Sequence, residues 1–160
     1  MNLQRILLLA ICISFGLTSS WAFDKTAFYQ TYTRGKAAEV AKLLEQLNAE
    51  NNGGNLNAYV GALTIKKATQ AKGMVQKLAL FREGYSSLET AIGNEPANAE
   101  YRFLRLTIQE HAPAILKYNQ NIAEDKKLIL SSYRRFPALI QQQLRQYSRI
   151  SKVLKASELK

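Results

Sequence analysis

The sequence predicts an all-α protein of antiparallel helical hairpins, six to seven helices in a single domain. Three observations carry this. Apolar residues recur at spacings of three and four along most of the chain. No alternating β-type run bounded by turn residues stands out. Punctuation is sparse: Pro96, Pro113, Pro137 and eight glycines in 160 residues divide the pattern into segments of helical length.

The first 22 residues, MNLQRILLLAICISFGLTSSWA, stand apart. Arg5 precedes the apolar run Ile6–Leu17, and Ser20-Trp21-Ala22 closes the segment. A positive start, a short apolar core and a small-x-small end describe a secretory signal, with cleavage expected between Ala22 and Phe23. A permanent anchor would need about 20 consecutive apolar residues. A lipidated cysteine would need a small residue before Cys12, and Ile11 is there instead. Export to the periplasm or beyond is the expectation. Cys12 is the only cysteine, so the remaining chain, 23–160, is expected to hold no disulfide and to rest on packing.

Along that chain, Asp24 is a good N-cap for a short first helix carrying Phe28 and Tyr32. A second helix is predicted over 35–50, with Val40, Leu44 and Leu47 inward and Asn51-Asn52-Gly53-Gly54-Asn55 ending it. A third covers 56–71 with Tyr59, Val60 and Leu63. The fourth has the longest stripe: Met74, Leu78, Phe81, Tyr85, Leu88 and Ile92. Beside it runs a line of small residues, Gly84, Ser87 and Ala91, that lets a neighbouring helix approach closely. Gly93-Asn94-Glu95-Pro96 stops this helix. A fifth is predicted over 97–110 (Tyr101, Leu104, Ile108), and a sixth over 114–131 after Pro113 (Ile115, Tyr118, Ile122, Ile129). A basic C-terminal helix, about 133–160, is expected to turn Ile140, Leu144, Tyr147 and Leu154 inward, with Pro137 in its first turn. Such amphipathic segments bury their stripes by pairing antiparallel.

Gly84, Leu88, Ala91 and Pro96 follow the order and spacing of the second helix of a tetratricopeptide unit. On those residues Phe81–Gln109 resembles the junction of two tetratricopeptide-like units. Tyr59 and Gly61 stand where such a unit's first helix has its signature. That signature is otherwise absent, and the stretch 69–77 is an insertion relative to the repeat. The segment FREGYSSLETAIGNEPANAEYRFLRLTIQEHAP also resembles a family of small exported helical proteins of Bacteroidota. The resemblance implies fold and compartment, and, by analogy of fold, a groove for a peptide or protein.

The formal net charge is +10. Without Arg5 it is +9. Residues 23–125 hold 12 basic and 11 acidic side chains. Residues 126–160 hold nine basic side chains against Glu158 alone, a net of +8. Chemistry is thin by comparison. One histidine, His111, stands at a predicted helix end, where a donor suits the dipole. No nucleophile motif, phosphate loop or spaced metal-ligand set accompanies it. No catalytic, cofactor or metal residue is assigned, and the protein is expected not to be an enzyme.

Two polar constellations remain. Arg102, Arg105 and Gln109 share one face of the fifth helix, and Tyr118, Ile122 and Asp125 share one face of the sixth. Folding about Pro113 sets Gln109 level with Tyr118, Arg105 with Ile122 and Arg102 with Asp125. That arrangement is either a polar groove for a partner or an internal bridge fixing the hairpin's register. Arg145, Arg149 and Lys152 form a basic line beside the apolar stripe of the last helix. They are either a solvated face or a surface for anionic envelope material. Nucleic acid fits the charge alone, with no interleaved aromatic platform to support it. The expected function is binding or scaffolding in the cell envelope, with a protein or peptide in the hairpin groove. The alternatives are peripheral binding of anionic surfaces through 126–160, or an enzyme whose site escapes recognition.

Overall fold

A computed structural model describes residues 23–160. Residues 1–22, expected to form a secretory signal ending at Ala22, lie outside the described residues, and Phe23 is the first inside them. Seven α-helices follow, with no strand among the described residues: α1 (Lys25–Arg34), α2 (Ala37–Glu50), α3 (Asn57–Gln70), α4 (Met74–Asn94), α5 (Ala99–Gln109), α6 (Ile122–Ser132) and α7 (Ala138–Tyr147).

Local chemistry sets the starts. The Asp24 carboxylate accepts from the backbone N–H of Thr26 and Ala27, capping α1 as expected. The Glu39 carboxylate reaches back to the Lys36 N–H at the start of α2. Asn98 caps α5 by accepting from Glu100 and Tyr101. Between α2 and α3, Gly53 and Gly54 sit at φ 71° and 81°, a left-handed region that glycine enters without steric cost.

The hairpin α3–α4 makes the most extensive helix pairing, followed by α5–α6 and α2–α3. At its crossing the small residues act as expected. A Cβ on Gly61 would lie 2.6 Å from the Gly84 carbonyl oxygen, and one on Gly84 would lie 2.5 Å from the Gly61 oxygen. Two glycines therefore let the backbones touch. The Ser87 hydroxyl donates to the Asn57 carbonyl across the same seam. Around it Phe28, Val40, Leu63, Leu88, Leu104, Leu106, Ile129, Ile140, Leu144 and Leu154 form one continuous core.

The fifth helix is the centre of the molecule. Every residue from Ala99 to Gln109 is buried, because α3, α4 and α6 all pack against it. The sequence marks only Tyr101, Leu104 and Ile108 as its inward face. The charged residues of the same helix are enclosed as well.

Three expectations are corrected. The stripe of α4 is buried only in its second half: Leu88 and Ile92 are enclosed, Leu78 and Phe81 half-buried, Tyr85 exposed, and Met74 is 77% exposed. The sixth helix does not begin at Ala114. Residues Ala114–Leu116 make one 3-10 turn, Lys117 takes a left-handed φ of 49°, and α6 starts only at Ile122. Left-handed backbone at a non-glycine ends helical propagation. Ile115 is thereby 88% exposed.

The basic helix expected over 133–160 is ten residues long, Ala138–Tyr147. Pro137 holds Phe136 extended and separates α7 from the turn Tyr133–Arg135. Beyond Tyr147 the chain leaves the helix, and a side chain distant in sequence takes up the backbone donors that follow. The Glu110 carboxylate accepts from the backbone N–H of Lys152 and Val153, and from the Ser151 hydroxyl. The tail then buries Leu154 completely.

Candidate functional site

The predicted α5–α6 constellation closes on itself. Asp125 is fully buried, with Arg105 and Arg102 at 3% and 8% exposure. Arg105 makes the forked pair, donating to both Asp125 oxygens at 2.7 and 2.6 Å. Arg102 donates to Asp125 at 3.1 Å, and to the Pro96 carbonyl through two nitrogens. A third cation–carboxylate link runs from Arg105 to Glu89 at 2.8 Å. Burial by itself lowers the pKa of the Arg105 guanidinium, but the bonds and charges of Asp125 and Glu89 reverse this and raise it.

Two of the five residues stand elsewhere than predicted. Because α6 starts late, Tyr118 is not level with Gln109. Its hydroxyl donates to Glu89 at 2.6 Å, and Gln109 donates to Asn121 at 3.3 Å. Burial, followed by the Glu89 carboxylate, raises the pKa of Tyr118, so its hydroxyl stays protonated. The nearest concavity, about 440 Å³ and shallow, touches Arg102 alone of the five. The cluster locks α5 to α4 and α6, and offers no open polar groove.

Glutamates are what the sequence reading missed. Glu100 accepts from Tyr29, Tyr59 and Lys25; Glu89 accepts from Tyr118; Glu95 from Tyr101; Glu110 from Tyr147. A signal existed. The chain has eight tyrosines, and a buried phenol must find a partner. Counting tyrosines as stripe residues hid the carboxylates that receive them. Burial raises the pKa of Glu110, but the bonds from Ser151, Tyr147, Lys152 and Val153 outweigh it and hold the carboxyl below its usual value.

The basic line is also divided. Arg145, on α7, donates to the Tyr133 hydroxyl at 2.6 Å. Arg149 and Lys152 lie beyond the helix end, exposed on the tail.

The open site lies at one end of the bundle. There the last turns of α1, α3, α5 and α7 meet the first turns of α4 and the 113–116 corner, leaving a groove of about 900 Å³. Its floor is aromatic and aliphatic: Tyr29, Ile65, Phe103 and Ile108 are buried, and Phe81 and Leu116 half-buried. Its lips are apolar and bare. Met74 from α4 is 77% exposed, Ile115 from the corner 88%, and Ile150 from the tail 70%.

Tyr32, Thr107 and His111 are among the polar groups that interrupt the floor, and they bond within the chain. The Thr107 hydroxyl donates to the Leu104 carbonyl, so the Tyr32 hydroxyl is the donor in its 2.8 Å bond to Thr107. Burial, against the bond to Thr107, pushes the Tyr32 hydroxyl up to about 12. His111 Nδ1 lies 2.9 Å from the Thr107 carbonyl and therefore donates to it. Three charged side chains line the groove, Arg34, Lys66 and Lys77, and all are basic.

Among the described residues no group of three or more His, Cys, Asp or Glu side chains could hold a metal. No helix there is long and apolar enough to cross a membrane. No family model, curated protein or solved structure matches the chain.

Proposed function

We propose that this protein is a non-enzymatic binding or scaffolding protein of the cell envelope, taking part of a protein or peptide partner in the groove at the end of its helical hairpins. The observation that carries the reading is the groove itself. Apolar side chains from three separate elements stand exposed around an apolar floor, and an exposed apolar surface of that kind marks an interaction site. The Gly61–Gly84 crossing supports the resemblance to tetratricopeptide-like hairpins, whose concave faces commonly take peptides. The site differs from the polar groove first expected between α5 and α6, where Arg102, Arg105, Asp125 and Tyr118 are bonded within the chain.

Export rests on the signal segment. Phe23, the residue that cleavage after Ala22 would leave first, packs its ring 4.4 Å from that of Tyr59. Edman sequencing of the protein recovered from cells tests this, with Phe-Asp-Lys as the expected start.

Photo-crosslinking in intact envelopes tests the binding site. A benzophenone side chain in place of Ile115 should capture one defined protein, and the same group at Gln142, exposed on α7, should not. Equal capture from both positions overturns the groove. The second reading, a basic surface for anionic envelope material, is favoured by the exposed Arg134, Arg135, Arg149, Lys152 and Lys155. It predicts envelope association that is lost above about 0.5 M salt and on truncation after Ser132.

A further inference from the structure

Resting on that reading, we propose that the groove's occupant is an amphipathic helix of another polypeptide, with an apolar stripe flanked by carboxylates. Four features of the groove specify it.

The first is its breadth. Met74, Ile115 and Ile150 stand on the lips, and a molecule sunk into the floor, such as a single acyl chain, would leave them in water. An occupant that lies across the groove covers floor and lips together. The second is its openness. An occupant lying there keeps one side in solvent, so it must be apolar on one face and polar on the other. The third is the absence of a sheet edge among the described residues. An extended peptide would find no row of main-chain partners, whereas a helix satisfies its own backbone before it docks.

The fourth is charge. Arg34, Lys66 and Lys77 are the charged groups of the lining, and no carboxylate is among them. Some basic side chains find carboxylates within the chain: Lys25 with Glu100, Arg102 and Arg105 with Asp125, Lys126 with Glu158. Arg34, Lys66 and Lys77 form no ion pair among the described residues. Acidic flanks on the partner would meet them. A second copy of this chain is the wrong occupant, because a twofold pairing would set the same basic rim against itself in a molecule of net charge +10.

The test is fluorescence anisotropy of the purified protein with labelled synthetic helices of about 18 residues. Each has a leucine stripe flanked by glutamate, by glutamine or by lysine. The glutamate-flanked helix should bind at least roughly tenfold more tightly than the lysine-flanked one, each exposed pair contributing a small factor. The gap should narrow as salt is raised. Lys66→Glu with Lys77→Glu should reverse the order, and Met74→Asp with Ile115→Asp should abolish binding of all three; circular dichroism checks that each variant is folded.

Equal binding of the three helices, unmoved by the lysine variants but abolished by the lip variants, overturns the acidic partner and leaves the groove reading standing. Binding that survives the lip variants places the site elsewhere and overturns both. If no helix binds while oleate or anionic phospholipid vesicles do, the occupant is a lipid and the helix proposal is overturned. If nothing binds, the groove reading falls with it.

Discussion

The α5–α6 cluster and the groove differ in how their chemistry is spent. The cluster gathers the charges that looked most like a site: Arg102, Arg105 and Asp125, with Glu89 and Tyr118 joined to them. Each is bonded and all but the half-buried Glu89 are enclosed, and the arginine–aspartate contacts run between 2.6 and 3.1 Å. The groove gathers side chains with no polar promise, and leaves Met74, Ile115 and Ile150 mostly in water. Satisfied polarity inside and unsatisfied apolarity outside teach the same lesson. A constellation that has completed its own hydrogen bonds holds the fold together, while surface left uncovered is what remains available to a partner.

The largest effect should come from breaking the cluster at its centre. Asp125→Ala strands two buried guanidinium groups and should cost about 3–5 kcal/mol in urea unfolding. A loss below about 1 kcal/mol would mean that water reaches those arginines and that the cluster is more open than its burial implies. Next comes the glycine seam. Gly84→Val drives new carbons into Ile65 and the Gly61 backbone, and should cost about 1–3 kcal/mol. Arg102→Ala leaves the forked Arg105–Asp125 pair intact and should cost about 1–2 kcal/mol. It should also leave crosslinking from position 115 unchanged; a loss of capture without unfolding would make the cluster part of the binding site.

The pH dependence tests the tail that carries the Ile150 lip. The folded Glu110 carboxyl is held below its ordinary value of 4.5, so its contribution to stability is present above that value and is lost as pH falls below it. Protection of the Lys152 and Val153 amides from hydrogen exchange, taken relative to the intrinsic rate at each pH, should fall through that window, and Glu110→Gln should flatten the response. The smallest stability change belongs to the groove. Ile115→Asp should move unfolding by less than about 0.5 kcal/mol while weakening partner capture strongly. A large destabilisation by Ile115→Asp would show the lip to be part of the core, and would erase the contrast between the two regions.

What the sequence determined by itself was the pattern of helices and the small-residue seam. Helical spacing, the Asp24 cap, the asparagine–glycine break after α2 and the Gly93–Pro96 stop are local signals, and local chemistry is enough to produce them. The pairing of α5 with α6 was legible for the same reason, but not its register, since residues 117–121 are not helical and the fork to Asp125 comes from Arg105. Tertiary structure alone decided three other things. It enclosed α5 on every side, so that its charges became an internal clamp, because burial depends on how many neighbours arrive and not on a helix's own stripe. It cut α6 and α7 short, because a left-handed Lys117 and a Glu110 carboxylate distant in sequence compete with helical hydrogen bonds. It left half of α4's stripe uncovered, because an apolar stripe states only that something should cover it; whether a neighbour in the same chain does so is settled by where the other helices stop.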